Sequence, residues 1–284
     1  AGRTQDAYAT LDTLSEEDRG RLTTSDVPIG TQALVALLEL ETDQQQTPVT
    51  SAFARRVIDQ PRATLDTLAL AVNRATGSGP RLQLLNLVSD ELTRMSESSP
   101  DATEYRPFVA ELWFSAATQA GESDPLRREL LTQTISRLNA VAQIDDDPER
   151  RVFAYQRKAY CEIELGSLDT GIRTYRQVLE LEPNDPATLN NLADALKRRG
   201  QYPEALQTAE RAVATSASSQ LPDSVLSIFY NNLGGCHLAV GDTDSALVAL
   251  RTSLDLDPSN AGARVTLAEA QLEAGVSLDT VRAT

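Results

Sequence analysis

Apolar residues recur three and four positions apart along much of the chain, a spacing that places them on one face of an α-helix. The pattern is clear in three stretches before residue 100: 32–40, 62–76 and 80–95. Turn-forming residues interrupt it at 77–80, 98–100 and 145–148. We find no alternating stretch long enough to indicate a sheet. The pattern therefore predicts an all-α protein.

From residue 152 onward, the helical pattern recurs with a period of 34 residues. The units are 152–185, 186–219, 227–260 and an incomplete 261–284. Residues 220–226 are additional, and we expect them to form an extension before the first helix of the third unit. One helical hairpin cannot bury its apolar face alone, so we expect the hairpins to stack on one another as a solenoid.

Glycine, small residues and proline punctuate each unit. A glycine at the turn permits a left-handed helix end, and these glycines are Gly166, Gly200, Gly241 and Gly275. Small residues allow the paired helices to approach closely, and they are Ala193 and Gly234 in first helices and Gly171, Ala205 and Ala246 in second helices. Pro183 and Pro258 are expected to stop the second helix, and Ala217 takes that place in the second unit.

These units resemble the tetratricopeptide repeat in their period and in their recurring small and large apolar positions. The resemblance covers residues 152–284 and implies a right-handed superhelical solenoid of antiparallel helix pairs with a concave groove. We assign residues 149–284 to the repeat domain. Residues 1–148 are interpreted as a helical region of degenerate, diverged helix pairs. Within it, 107–121 followed by 125–144 has the helix–glycine–helix order of a repeat, with Trp113 and Phe114 at irregular positions.

Composition argues against several classes of function. The net charge of −15 disfavours nucleic acid and anionic membranes as partners. Two cysteines and one histidine exclude most metal sites and most histidine-based catalysis, so we expect no cofactor, no metal and no catalytic residue. Neither a signal peptide nor an apolar membrane span is recognisable, which favours a cytoplasmic location and no membrane insertion.

The histidine and the cysteines all fall at packing positions of the repeat. We expect His237 to be a core or groove-wall residue rather than a catalytic base. Cys161 and Cys236 occupy equivalent small, buried positions in different units. Because a whole repeat separates them, we predict two reduced, unpaired thiols.

The resemblance also implies which residues line the groove, since six positions of each first helix face it in this family. Asparagine at the sixth position forms a ladder in relatives that holds the backbone of a bound peptide, because its amide both donates and accepts. The equivalent residues here are Arg157, Asn191, Asn232 and Thr266. The predicted partner-binding residues are Phe153, Gln156, Arg157, Tyr160, Asn190, Asn191, Asp194, Lys197, Arg198, Asn231 and Asn232.

A second family arrangement, the two-lysine clamp for a C-terminal carboxylate, is not met. Gln156 and Ile228 stand where its lysines are expected, and only Asn191 matches. The groove instead mixes aromatic, basic and apolar residues, the last being Ile228, Leu238, Val265 and Leu272. This mixture favours an extended peptide with acidic and apolar parts, or a helix laid in the groove.

The sequence thus predicts a non-catalytic interaction module that binds a protein or peptide partner. One alternative is the repeat region of a larger enzyme, such as a glycosyltransferase or a kinase. Another is a self-assembling scaffold, since the incomplete fourth unit is expected to present an apolar end face. A hydrolase within residues 1–148 would need a carboxylate pair that the sequence does not show.

Overall fold

The computed structural model describes residues 82, 85, 86, 89, 90, 105–144, 147–217 and 219–276. Within these residues the regular structure is entirely helical, which confirms the all-α prediction. The helices are α1 Tyr105–Gln119, α2 Arg127–Ile144, α3 Pro148–Glu164, α4 Leu168–Leu181, α5 Pro186–Arg198, α6 Tyr202–Ser216, α7 Asp223–Ala239, α8 Thr243–Leu256 and α9 Ala261–Glu273. The predictions for 32–40, 62–76, the turn at 77–80 and the end of the fourth unit lie outside the described residues.

The chain divides into two compact units, residues 1–154 and 155–284, with the division inside α3. In the first unit, α1 packs against α2. Trp113 of α1 is 1% exposed and donates from Nε1 to Ser89 Oγ at 2.7 Å. Arg137 of α2 covers its ring, 3.8 Å from the centroid. The predicted boundary at 148/149 and the origin of residues 1–148 as diverged repeats stay predictions.

The second unit is a stack of helical hairpins, as predicted. α5 packs on α6, α7 on α8, and α9 on both α7 and α8. Its main core cluster joins successive hairpins through residues that include Ile163, Tyr175, Leu192, Ala205 and Cys236. Each hairpin therefore covers the apolar face of its neighbour.

Glycine closes every repeat turn in the left-handed conformation. The φ angles are 84° at Gly166, 83° at Gly200, 82° at Gly241 and 81° at Gly275. The turns between paired helices are short, as in residues 199–201 between α5 and α6. A side chain would be strained at such φ values, so the predicted role of these glycines is confirmed.

Close approach of paired helices depends on a second set of small residues. A Cβ at Gly234 of α7 would lie 2.6 Å from Leu250 Cγ of α8. A Cβ at Gly171 of α4 would lie 2.6 Å from Ile163 Cδ1 of α3. Real Cβ atoms essentially never show contacts this short, so a larger residue at either place would force its neighbour to shift, as the predicted role of the small residues requires.

The extension at residues 220–226 differs from its prediction. Only part of it precedes the helix, because α7 begins at Asp223 and includes the rest. The physical reason is packing: Leu221 and Val225 lie against the buried cluster of Leu189, Ala212 and Phe229. This contact stabilises the added first turn of α7.

Candidate functional site

The first helices of successive hairpins in the second unit contact one another directly, α5 with α7 and α7 with α9. Second helices, in contrast, pack on the first helices of adjacent hairpins, as α6 does on α7. We call the solvent-facing side of α3, α5, α7 and α9, from Tyr155 onward, the inner face. The predicted binding residues of this unit lie on these helices, and the contacts divide them into two groups.

The first group points along the stack to the next first helix. Gln156 of α3 donates from Nε2 to Asp185 Oδ2 and Thr188 Oγ1, both at 3.0 Å, at the start of α5. Asn190 of α5 is 4% exposed and accepts from Asn232 Nδ2 of α7 at 2.9 Å. These side chains hold adjacent helices together.

Asn231 and Lys197 belong to the same group. The Nδ2 of Asn231 would lie 3.4 Å from a Cβ at Gly262 of α9, and its buried Oδ1 accepts no hydrogen bond from the described residues. Lys197 reaches from α5 to α7, where its Nζ would lie 3.1 Å from a Cβ at Gly235. Glycine at these two places leaves room for the side chain opposite.

The second group faces solvent and forms a band across two neighbouring helices. We call it the inner strip, and it consists of Asn191, Asp194 and Arg198 of α5 with Ile228 and Asn232 of α7. Asn191 is exposed, Asn232 is half-buried, and Ile228 is 49% exposed. The strip therefore offers amide, charged and apolar groups side by side.

Charges on the inner face pair with one another. Lys197 Nζ lies 3.1 Å from Asp194 Oδ1. Arg198 Nη1 lies 3.0 Å from Glu164 Oε1 and 4.0 Å from Asp194 Oδ2. The basic residues predicted for the groove, Lys197 and Arg198, are thus balanced by neighbouring carboxylates, and the strip carries both signs of charge.

The other predicted residues make interactions of their own. Arg157 and Tyr160 of α3 are half-buried in the second unit. Phe153, also half-buried, belongs to the first unit. Thr266, the last predicted rung, donates its hydroxyl to Gly262 O within α9 at 3.0 Å.

Sequence reasoning missed a cleft between α7 and α8, which none of the inner-strip residues lines. Its volume is about 370 Å³, and its lining includes Tyr230, Leu233, His237 and Val248. Nδ1 of His237 lies 3.3 Å from Asp242 Oδ2 in the turn that follows. The one available signal was the imidazole at a position where the repeat pattern expects a packing aromatic, since a smaller ring leaves space.

Cys161 and Cys236 form no disulfide and are buried, as predicted. Burial raises the pKa of Cys236 to about 11, so this thiol stays protonated near neutral pH. Within the described part of the chain, no three His, Cys, Asp or Glu side chains cluster so that they could hold a metal ion. No helix in that part is long and apolar enough to cross a membrane.

Two family models match the chain, and both describe the tetratricopeptide repeat. One covers residues 154–185 and the other residues 184–259. Together they span the first three predicted units. The matched residues belong to the second unit, apart from Ala154, and they include the whole inner strip.

Similar proteins match part of the chain rather than its full length. The Hsp70-Hsp90 organizing protein of Triticum aestivum is 31% identical over 114 residues, 40% of this chain and 18% of the relative. Cellulose synthase operon protein C of Pseudomonas fluorescens is 31% identical over 102 residues, 36% of this chain and 8% of the relative. The chain thus spans less than a fifth of these relatives. Among solved structures, MamA of Desulfovibrio magneticus RS-1 has a TM-score of 0.46 at 21% identity, with 61% of this chain and 89% of that chain covered.

Proposed function

Because residues 154–259 are tetratricopeptide repeats, we propose that the second unit is a non-catalytic interaction module that binds an extended segment of a partner protein along the inner strip. The similarity to a protein named for organizing two other proteins supports a protein partner. The observation that carries the proposal is the strip itself, in which Asn191 and Asn232 bring amides to adjacent first helices.

The spacing of the strip suits an extended backbone. Packed helices lie about 8–10 Å apart, and an extended chain advances about 3.3 Å per residue. A bound segment that crosses from Asn191 to Asn232 therefore meets the second amide about three residues after the first. Amide side chains hydrogen-bond any peptide group, so these two contacts are independent of the partner's side chains.

The remaining strip residues give the partner its chemistry. Ile228 is an exposed apolar contact on α7. Asp194 and Arg198 of α5 offer opposite charges close together. We infer a partner segment with one apolar side chain that is followed or preceded by charged residues. Gln156 and Ile228 stand where the family's clamp has lysines that bind a C-terminal carboxylate. This favours an internal segment of the partner over its C-terminus.

The test uses the full chain and a displayed library of random twelve-residue linear peptides. Peptides selected on the wild type are then measured by calorimetry against the Asn191→Ala/Asn232→Ala double variant. Loss of two backbone hydrogen bonds is expected to weaken binding by about tenfold or more. Asn184→Ala is the matched control, since this asparagine is exposed in the turn before α5. Unchanged affinity in the double variant would refute the proposal.

A specific observation favours self-association as a second function. Val265 and Leu272 of α9 are 61% and 43% exposed. They occupy the repeat positions at which Asn231 and Leu238 of α7 contact or pack towards α9. We propose that α9 of a second copy packs against this face, since such positions pack against another first helix elsewhere in the stack.

Light scattering on the wild type and on a Val265→Glu/Leu272→Glu variant tests this second proposal. We expect the molar mass of the wild type to rise with concentration and that of the variant to stay monomeric, because buried carboxylates oppose the contact. A wild type that remains monomeric at millimolar concentration would contradict it.

A further inference from the structure

A buried amide lies beneath the inner strip. Asn190 is 4% exposed, so it cannot itself contact a bound segment. Its Oδ1 accepts from Asn232 Nδ2 at 2.9 Å, and its Nδ2 donates to Asn191 Oδ1 at 3.4 Å. The three side chains thus form one hydrogen-bonded chain from α5 to α7, with the buried member in the middle.

This chain leaves different groups of its two outer amides for a partner. Asn191 uses its oxygen towards Asn190, so its Nδ2 hydrogens remain available as donors. Asn232 uses Nδ2 towards Asn190, so its Oδ1 remains available as an acceptor. An amide that is held on one side cannot rotate to exchange its donor and acceptor without losing that bond.

We propose that Asn190 is a positioning residue that fixes the polarity with which the inner strip reads a peptide backbone. This inference rests on the proposed function and deepens it. The bound segment presents a carbonyl oxygen to Asn191 and an N–H to Asn232. Given the helix spacing, these two backbone groups lie about three residues apart along the partner.

The role requires a side chain that donates and accepts at once. Aspartate at 190 accepts from Asn232 but cannot donate to Asn191 when ionised. Leucine is similar in size and does neither. Asn190→Leu therefore frees both outer amides, and Asn190→Asp frees that of Asn191 alone.

Backbone ester substitution provides a readout that a merely structural role would not move. A peptide selected from the random twelve-residue library is synthesised with each backbone N–H replaced in turn by an ester oxygen. With the wild type, the ester at the position facing Asn232 is expected to weaken binding by about tenfold, because an acceptor then meets Oδ1.

The variants then test the role of Asn190. In Asn190→Leu, the Asn232 amide can turn, so the same ester is expected to weaken binding by about twofold or less. In Asn190→Asp, the tenfold penalty is expected to persist, since the bond to Asn232 is kept. Ser253→Ala is the control, because Ser253 is equally buried in the second unit but hydrogen-bonds Ser227. A tenfold ester penalty that persists in Asn190→Leu overturns the inference.

Failure of the proposed function gives a different result. If the Asn191→Ala/Asn232→Ala variant binds the peptides unchanged, the strip does not bind them, and both proposals fall. If that variant loses binding but the ester penalty is the same in the wild type and in the residue-190 variants, only the inference on Asn190 is wrong.

A measurement on the free wild type covers the case in which Asn190→Leu does not fold. Side-chain amide exchange by nuclear magnetic resonance is expected to be slowed at least about tenfold at Asn232 relative to Asn191, since Asn232 donates its side-chain N–H to Asn190 whereas Asn191 accepts from Asn190. Equal exchange at the two amides would overturn the positioning role.

Discussion

The α1–α2 hairpin and the repeat hairpins join and pack their paired helices in different ways. In the repeats, three-residue turns close on a left-handed glycine, and a small residue brings the helices together, as at Gly234. Between α1 and α2, the longer connection of residues 120–126 has no such glycine, and Arg127 Nη1 donates to Ala120 O at 2.7 Å at the end of α1. A longer turn can close with residues in the αR and extended conformations, so it needs no glycine in the left-handed conformation.

The core of the α1–α2 hairpin also differs from the cores of the repeat hairpins. Repeat hairpins interlock small residues with leucines, and α1–α2 adds to leucines and alanines the large buried ring of Trp113. The ring has a hydrogen-bond partner in Ser89 and a cation over its face in Arg137. Burial lowers the pKa of Arg137, and Asp90 opposes that effect. The first hairpin therefore holds one large ring, with polar partners of its own, among buried leucine and alanine side chains.

The largest expected effect follows from the size of this buried ring. Trp113→Ala is expected to destabilise the first unit by about 3–5 kcal/mol, because it removes the largest buried side chain and leaves a cavity. Hydrogen exchange should show lost protection in α1 and α2 and unchanged protection in α5–α8. A loss below about 1 kcal/mol would show that the hairpin does not depend on the ring.

The next effect concerns close approach within a repeat. Gly234→Ala is expected to cost about 2 kcal/mol, since its Cβ would lie 2.6 Å from Leu250 Cγ. Circular dichroism should record the lower unfolding temperature, while fluorescence of the chain's one tryptophan, Trp113 in the first unit, should not change. Adding Leu250→Val should recover part of the loss. Tolerance of Gly234→Ala would refute the packing requirement.

Much of the second unit could be predicted from sequence because its requirements are local. A left-handed turn favours glycine, and a close helix crossing favours a small residue. The sequence alone therefore indicates the turn at Gly200 and the close crossing at Gly234. The burial of Cys161 and Cys236 without a disulfide followed from the same register. The start of α7 at Asp223 was missed because it depends on Leu221 and Val225 packing against another hairpin.

The site was predictable as a set of helix positions but not in its division. Asn190 and Asn191 are adjacent and identical in type, yet one is buried against α7 and the other faces solvent. Which of them remains exposed depends on where the next first helix lies. The cleft beside His237 and the roles of Trp113 depend in the same way on contacts distant in sequence.

A smaller effect distinguishes the two kinds of turn. Gly200→Ala is expected to cost about 1–2 kcal/mol because φ is 83° there. Gly121→Ala is the counterpart in the α1–α2 connection, where a Cβ would meet nothing within 4 Å, and it should change stability by less than about 0.5 kcal/mol. Chemical denaturation of both variants measures the difference, and equal costs would remove the distinction.

The smallest expected effect is a pH dependence confined to the repeat turns. Hydrogen bonds from the side chain and backbone N–H of Ser245 hold the pKa of Asp242 below its ordinary value of 3.8. A depressed carboxyl pKa stabilises the fold above the ordinary value, and that stability is lost as pH falls through the folded-state pKa. Asp242→Asn should therefore flatten the decline in unfolding temperature below pH 3.8. An unaltered decline would count against this cap.

The most direct test of the account is to map a bound peptide on the isotope-labelled chain by nuclear magnetic resonance. With a peptide selected from the random twelve-residue library, we expect the largest shift changes at the inner strip, at Asn191, Asp194, Arg198, Ile228 and Asn232. Changes concentrated instead at Tyr230, His237 and Val248, in the cleft between α7 and α8, would contradict the account.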